Sequence, residues 1–319
     1  MSVDTGALFT FAWKHAHRVP QPLLRAVFGT VADVAWLRHG AGVRRLEANL
    51  GRVRPELSDR ALRRLSRAGM RSYMRYYREA FTLPAFTPEQ IAARVRLSNG
   101  EALRAHIAAG RSPVLALGHQ GNWDLAGAWA NPHLSPVLTV AERLEPPELF
   151  AEFLRFRSSI GIEILALGDD DVFRSLLRAS RQPGHILPLL ADRDLGASGI
   201  EVDLFGERAR VAAGPAALAV AGAPLFVANI YYERLRGARR RAAGSPWGLV
   251  VEISDEIEVD RTLPRREQAT AVTQAWVRAY EGPLREHPQD WHMLQRVFVA
   301  DLDPRRDAAV RAGVAEAAA

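Results

Sequence analysis

The chain has no cysteine and only one lysine, Lys14, among its 319 residues. Without thiols it forms no disulfide, holds no metal through thiolate and offers no Cys nucleophile, which is compatible with a reducing compartment. It also lacks any run of about 18 uncharged apolar residues, so no stretch reads as a bilayer-spanning helix. The N-terminal segment comes nearest, but Lys14, His15, His17, Arg18, Arg25 and Asp33 interrupt it. A signal peptide is not expected there, because neither a basic start nor a small-residue cleavage site frames the apolar stretch. Three familiar signatures are missing as well. No GxSxG elbow argues against a serine esterase on an α/β-hydrolase fold. No GxxxxGK[ST] loop and no GxGxxG after a strand argue against nucleotide hydrolysis and hydride transfer.

The charge that is present is mostly arginine. The formal net charge is +6 and the pI about 10.2. Guanidinium forks suit phosphate, so an anionic membrane surface or a nucleotide-bearing donor is an expected partner. Nucleic acid is not, since no helix-turn-helix, zinc or aromatic RNA-binding signature accompanies the arginines. With 48% hydrophobic residues the chain can bury one large core. The expected division is a helical N-terminal extension over 1–84, an α/β domain over 85–302 and a flexible tail over 303–319.

One stretch, Ser112 to Trp129, concentrates the chemistry. Val114, Leu115, Ala116 and Leu117 form an apolar run between Pro113 and Gly118 that reads as a strand buried on both faces. A polar turn follows, and Asp124 precedes Leu125 to Trp129 as a helix N-cap or first-turn residue. On one helix a separation of five residues would set His119 and Asp124 about 140° apart; a strand-turn-helix removes that objection. Asp124 could then hold one imidazole nitrogen while the other takes a proton from a hydroxyl. The plainer reading, a capping Asp and a loop His, stands beside it.

Elsewhere the N-terminal segment reads as two amphipathic helices broken at Pro20 and Pro22. One carries Leu8, Phe11 and Ala12 with Trp13 nearby; the other carries Leu23, Leu24, Val27, Phe28, Val31, Val34 and Ala35. Such faces either lie on a membrane or pack on the domain. Ser58 is the expected N-cap of a long helix with Leu62, Leu65, Gly69, Met70, Tyr73, Tyr76, Tyr77 and Phe81 on one stripe. Its other face, Arg60, Arg63, Arg64, Arg67, Arg71 and Arg78, is either solvated or phosphate-binding. Strand and helix signals then alternate. Strands are expected at 136–140, 162–167, within HILPLLAD and PLFVANIYY, and as a pair within WGLVVEISDEIEVD. Helices are expected after Pro146-Pro147, at 170–180, after Gly214-Pro215 and over 265–286. The pattern predicts an α/β fold, a mostly parallel twisted sheet with helices on both faces, whose ligands gather at the strands' carboxyl ends. His119 lies at one such end and Asp192, in HILPLLADRDL, at another. Asp192 could equally cap a turn or belong to an exposed Asp-Arg-Asp cluster with Asp194.

The phrase GHQGNWD resembles the HxxxxD motif of the glycerolipid acyltransferase superfamily. Its Asn-Trp before the Asp resembles the branch that contains the late acyltransferases of lipid A biosynthesis and the phosphatidylinositol mannoside acyltransferases. RSYMRYYREAF, VAERLEPPELFAEFLRFRSSIGIEIL, GIEVDLFGERARVAAGPAALA and EHPQDWHMLQRVF extend the resemblance from about Gly42 to Phe298. It implies the matching fold and an acyl transfer in which His119 is the base, Asp124 orients it and Asp192 takes part in the active site. Asp192 stands where some members carry Glu. Arg157, and less distinctly Arg143 and Asp194, fall in the implied binding site; Arg143 could instead pair with Glu142 or Glu145. His287 and His292 read as structural and Trp291 as a packing anchor. The implied donor is acyl-CoA and the implied acceptor a membrane glycolipid, with no metal or bound cofactor, at the cytoplasmic face of the cell membrane as a peripheral protein. Donation by acyl carrier protein in lipid A-type acylation, a metal-dependent phosphohydrolase using His119, Asp124, Asp192 and Asp194, and a non-enzymatic lipid-binding protein are the competing readings.

Overall fold

The computed structural model describes residues 15–143, 146–168, 171–194 and 199–302. Three helices come first: Gln21–Arg38 (α1), Ala41–Val53 (α2) and Asp59–Thr82 (α3). Ser58 caps the third, its side chain accepting from the Ala61 N–H. The stretch Leu8 to Trp13, where a helix is expected, and the tail from 303 lie outside the described residues.

Alternation then begins. It runs through Pro88–Arg94 (α4), Val95–Ser98 (β1), Glu101–Ala108 (α5), Val114–Leu117 (β2), Trp123–His133 (α6), Val137–Ala141 (β3), Pro147–Ser159 (α7), Ile162–Ala166 (β4) and Val172–Arg181 (α8). It closes with Leu187–Leu190 (β5), Ile200–Leu204 (β6), Glu207–Val211 (β7), Gly214–Val220 (α9), Leu225–Arg234 (β8), Gly237–Ala243 (α10), Trp247–Ile253 (β9) and Arg265–Glu286 (α11). The central sheet has the order β1-β9-β8-β2-β5. All of its pairings are parallel except β8 with β9. β3 and β4 pair in parallel beside it, and β6 with β7 forms a hairpin.

Strand side chains alternate between faces, and here both faces are buried. Val114, Ala116, Leu187, Leu189, Leu225 and Val227 join the core under α9 and α11, with Leu218, Val272 and Trp276. Leu115, Leu117, Leu190, Phe226 and Ala228 join the core under α6, with Leu125, Ala126 and Trp129. The parallel sheet with helices on both faces is therefore as the alternation predicts. One expectation fails: only β9 forms in WGLVVEISDEIEVD. After Ile253 the chain makes two backbone bonds to the start of β8, from Ser254 to Val227 and from Ile257 to Leu225, and then leaves the sheet. Its acidic residues stay exposed while Ile257 and Val259 pack on the core.

α1 divides the apolar face expected of it. Leu24 and Ala32 are buried, and Phe28 meets Phe81 of α3 at 6.1 Å. Leu23, Val27, Val31, Val34 and Leu37 stay exposed on the other side, from 41% to 68%. The basic face of α3 is largely ion-paired: Arg67 and Arg71 both fork onto Asp33 of α1, and Arg63 onto Glu47 of α2. These pairs hold the Asp33 carboxyl far below its ordinary pKa. They tie the three helices together and leave fewer free cations than the sequence suggests.

The turn between β2 and α6 depends on Gly121. Its φ is +57°, and a Cβ there would come within 2.6 Å of the Ile230 carbonyl oxygen. Gly121→Ala should therefore lower the unfolding free energy by more than the ~1–3 kcal/mol usual for a sparsely populated backbone conformation, because a backbone clash adds to it. A wild-type melting temperature would show that the turn relaxes freely.

Candidate active site

His119 and Asp192 meet because their strands pair in register. β2 and β5 run parallel with Leu117 opposite Leu190, and the Ala191 N–H extends the pairing to the Leu117 carbonyl at 2.8 Å. Two residues further, the His119 N–H donates to Asp192 Oδ2 at 2.8 Å and its ring Nδ1 lies 2.6 Å from Oδ1. Trp291 Nε1–H adds a bond to Oδ2 at 2.8 Å. Burial alone would raise the Asp192 pKa, but the His119 charge and the donors from His119 and Trp291 hold it below the ordinary value. An ionised carboxylate only accepts, so Nδ1 carries a proton, and in the neutral imidazole it is Nε2 that presents a lone pair. Among the described residues Nε2 has no partner, and the ring lines a groove.

Asp124 does not orient this imidazole, contrary to the sequence expectation. Asn122 is the N-cap of α6, its Oδ1 accepting from the Leu125 N–H at 2.9 Å. Asp124 follows inside the first turn, 1% exposed. It accepts from Arg157 Nε at 2.8 Å and from the Tyr76 hydroxyl at 2.9 Å. Burial and the Asp124 charge push the Tyr76 hydroxyl well up, keeping it a donor. The motif's two members thus sit in two separate pairs, His119 with Asp192 and Asp124 with Arg157.

The groove encloses about 800 Å³ and is lined by both pairs' members His119, Asp124 and Arg157, with Tyr76, Phe81 and Phe153 among its apolar walls. A narrower apolar cavity of about 60 Å³ adjoins it; the two share Trp123, Asp124, Val140, Arg157 and Leu190. Arg143 stands over the Phe150 ring at 5.9 Å. Of its two expected partners, Glu142 accepts from Arg193, and Glu145 lies outside the described residues. Asp194 lines the groove, with its backbone N–H on the Arg210 carbonyl. Among the described residues no group of three or more His, Asp or Glu side chains is placed to hold a metal ion.

Sequence reading missed Tyr76, Trp123, Arg193 and the donor role of Trp291. A buried Trp needs an acceptor for its N–H, which was the one available signal for Trp291. His292 lies beneath the site. Its N–H donates to the His119 carbonyl at 2.7 Å, and its Nε2 faces Ser72 Oγ at 3.1 Å. His287 stacks on Tyr231, ring centroids 3.7 Å apart.

Comparison with known proteins converges on one group. The profile of the family described as bacterial lipid A biosynthesis acyltransferase matches residues 5–299. A protein named phosphatidylinositol mannoside acyltransferase from Mycolicibacterium smegmatis is 36% identical over 303 residues, covering 94% of this chain and 93% of the relative. One of the same name from Mycobacterium tuberculosis is 36% identical over 308 residues, covering 95% and 91%.

Burial and the charges of Arg75 and His119 push the His292 pKa down to about 3, from 6.5 for a free imidazole. On acidification the unfolded chain takes up this proton first, so stability falls as pH drops below about 6.5 and continues to fall toward 3. Urea midpoints should decline between pH 7 and 5, before most unfolded-state carboxylates titrate, and His292→Asn should flatten the decline. Equal slopes in the two proteins would assign the acid sensitivity to other groups.

Proposed function

Because the chain belongs to the bacterial lipid A biosynthesis acyltransferase family, we propose that it moves a long-chain acyl group from acyl-CoA to a sugar hydroxyl of a membrane glycolipid of the phosphatidylinositol mannoside class. The observation that carries this reading is the His119–Asp192 pair at the edge of the 800 Å³ groove, with His119 lining the groove and its Nε2 without a hydrogen-bond partner among the described residues. Such a pair is a general base for a hydroxyl, and the apolar walls suit an acyl chain. The relatives' names supply the acceptor class.

In the proposed step, Nε2 of His119 takes the acceptor's hydroxyl proton as its oxygen attacks the thioester carbonyl carbon. Asp192 stabilises the imidazolium through Nδ1–H. The tetrahedral intermediate collapses with cleavage of the C–S bond, and the imidazolium returns the proton to the leaving thiolate. Arg157 is the cation for the intermediate's oxyanion. Its Nε is fixed by Asp124, its Nη groups have no hydrogen bond among the described residues, and it lines both cavities. Asp124 is then the residue that positions Arg157. Asp194, on the groove wall, is kept as an acceptor contact, and Arg143, beside the groove-lining Glu142, as a second one. No cofactor enters the step.

The exposed stripe of α1 gives this reading its membrane side. Leu23, Val27, Val31, Val34 and Leu37 recur at helical spacing, and no helix among the described residues is long and apolar enough to cross a bilayer. We assign the stripe to an anionic membrane surface, with the protein peripheral at the cytoplasmic face.

His119→Ala should lower transfer from palmitoyl-CoA by about 10²–10⁴-fold in a protein that melts normally. Asp192→Asn should fall in the same direction. Mass spectrometry of the lipid product measures both, and near-normal turnover of folded His119→Ala would remove the base from the mechanism. Separately, joint replacement of Leu23, Val27 and Val31 by Ser should abolish sedimentation with phosphatidylinositol vesicles while turnover of detergent-dispersed acceptor persists. Unaltered sedimentation would place the contact elsewhere.

A further inference from the structure

The groove's two lining arginines with mapped carboxylate contacts are held very differently. Arg157 donates from Nε to Asp124 at 2.8 Å, with both side chains almost wholly buried. Among the described residues Arg193 has only Nη2 on Glu142 Oε2, at 3.3 Å, and that carboxylate is 45% exposed. The Arg193 side chain is itself 17% exposed, and its Nε–H is buried without an acceptor among the described residues. A guanidinium carries five N–H donors, and leaving a buried one unmatched is unfavourable. Arg193 follows Asp192 directly, so this open fork lies one residue from the carboxylate that holds His119, on the wall of the same groove.

We propose that Arg193 is a phosphate-binding residue for the reaction, taking a substrate phosphodiester or pyrophosphate group on its open fork, with Glu142 as the resting partner that the phosphate displaces. A planar fork meets two phosphate oxygens at once, and charge-assisted bonds of this kind outcompete a single long contact to an exposed carboxylate. The inference rests on the acyl-transfer reading, and it leaves two sources of the phosphate: the donor's coenzyme A moiety or the acceptor's phosphodiester.

Steady-state kinetics of Arg193→Gln separate them. A donor phosphate predicts a KM for palmitoyl-CoA raised about tenfold to a hundredfold, with kcat within about twofold and no difference from wild type on palmitoyl-pantetheine, which has no phosphate. An acceptor phosphate predicts the same rise in the KM for phosphatidylinositol mannoside, persisting with palmitoyl-pantetheine. Glu142→Gln, which removes the competing carboxylate, should lower the affected KM below wild type, and Arg193→Lys should recover part of the loss. Unchanged KM values for both substrates, or a fall in kcat alone, would overturn the assignment and leave Arg193 as a brace for Asp192. If Arg193→Gln melts early, the Glu142→Gln and Arg193→Lys results decide. If wild type turns over neither donor, the acyl-transfer reading fails by itself. Calorimetric titration with coenzyme A and with glycerophosphoinositol still tests Arg193, and equal affinities of wild type and Arg193→Gln for both ligands would refute it.

Discussion

The site depends on a register. β2 and β5 are paired so that Leu117 faces Leu190, and the pairing persists one step beyond the last strand residue. A shift of one residue would exchange the two faces of a strand. His119 would then turn toward the Gly118 side, where a Cβ would collide with the Tyr280 hydroxyl. The close packing of Val114, Ala116, Leu187 and Leu189 on one face, and of Leu115, Leu117 and Leu190 on the other, fixes that register. An apolar core several residues away thus sets a 2.6 Å polar contact.

This explains why the carboxylate partner was hard to read. The spacing of His119 and Asp124 is local, and both land beside the groove as the strand-turn-helix pattern suggests. Which carboxylate meets the imidazole is decided by a strand 73 residues further along the chain. Asp124 finds its partners 33 residues ahead on α7 and 48 residues behind on α3. Short motifs report a neighbourhood well and pairings within it poorly, since a pairing is a property of tertiary packing.

The same division holds across the fold. Arg265–Glu286 could be bounded from sequence because Pro264 precedes it and its apolar residues keep one period. The β6–β7 hairpin was not among the strands expected from the alternation; its two-residue turn, Phe205-Gly206, has positive φ of 55° and 82°, and a Phe there carries no turn signal in sequence. Charged faces were less legible. The arginines of α3 read in sequence as solvated or phosphate-binding, but Asp33 and Glu47 come to three of them once the three helices have packed. The exposed half of the α1 stripe is equally a tertiary fact: α3 has room to cover Leu24 and Ala32 and leaves Leu23 and Val27 outside.

α3 is also where the N-terminal helices and the site become one structure. Tyr76 donates to Asp124, Ser72 to Asp290 at 2.5 Å, and Glu79 accepts from Asn122 at 3.1 Å and from Tyr232 at 2.9 Å. Asn122 and Asp124 open α6, and Asp124 lines the groove; Asp290 precedes Trp291, the donor to Asp192. Burying Glu79, Asp124 and Asp290 is unfavourable unless every oxygen is matched, and α3 supplies matching donors for Asp124 and Asp290 and carries Glu79 itself. Its next turn, through Tyr77, Ala80 and Phe81, forms the apolar wall of the groove and touches Phe28 of α1. One helix therefore completes the hydrogen bonding of the reacting end and carries, on its far side, the helix with the exposed apolar stripe. Through Phe28 on Phe81, α1 is thus packed on the same helix that brings the Tyr76 hydroxyl to Asp124.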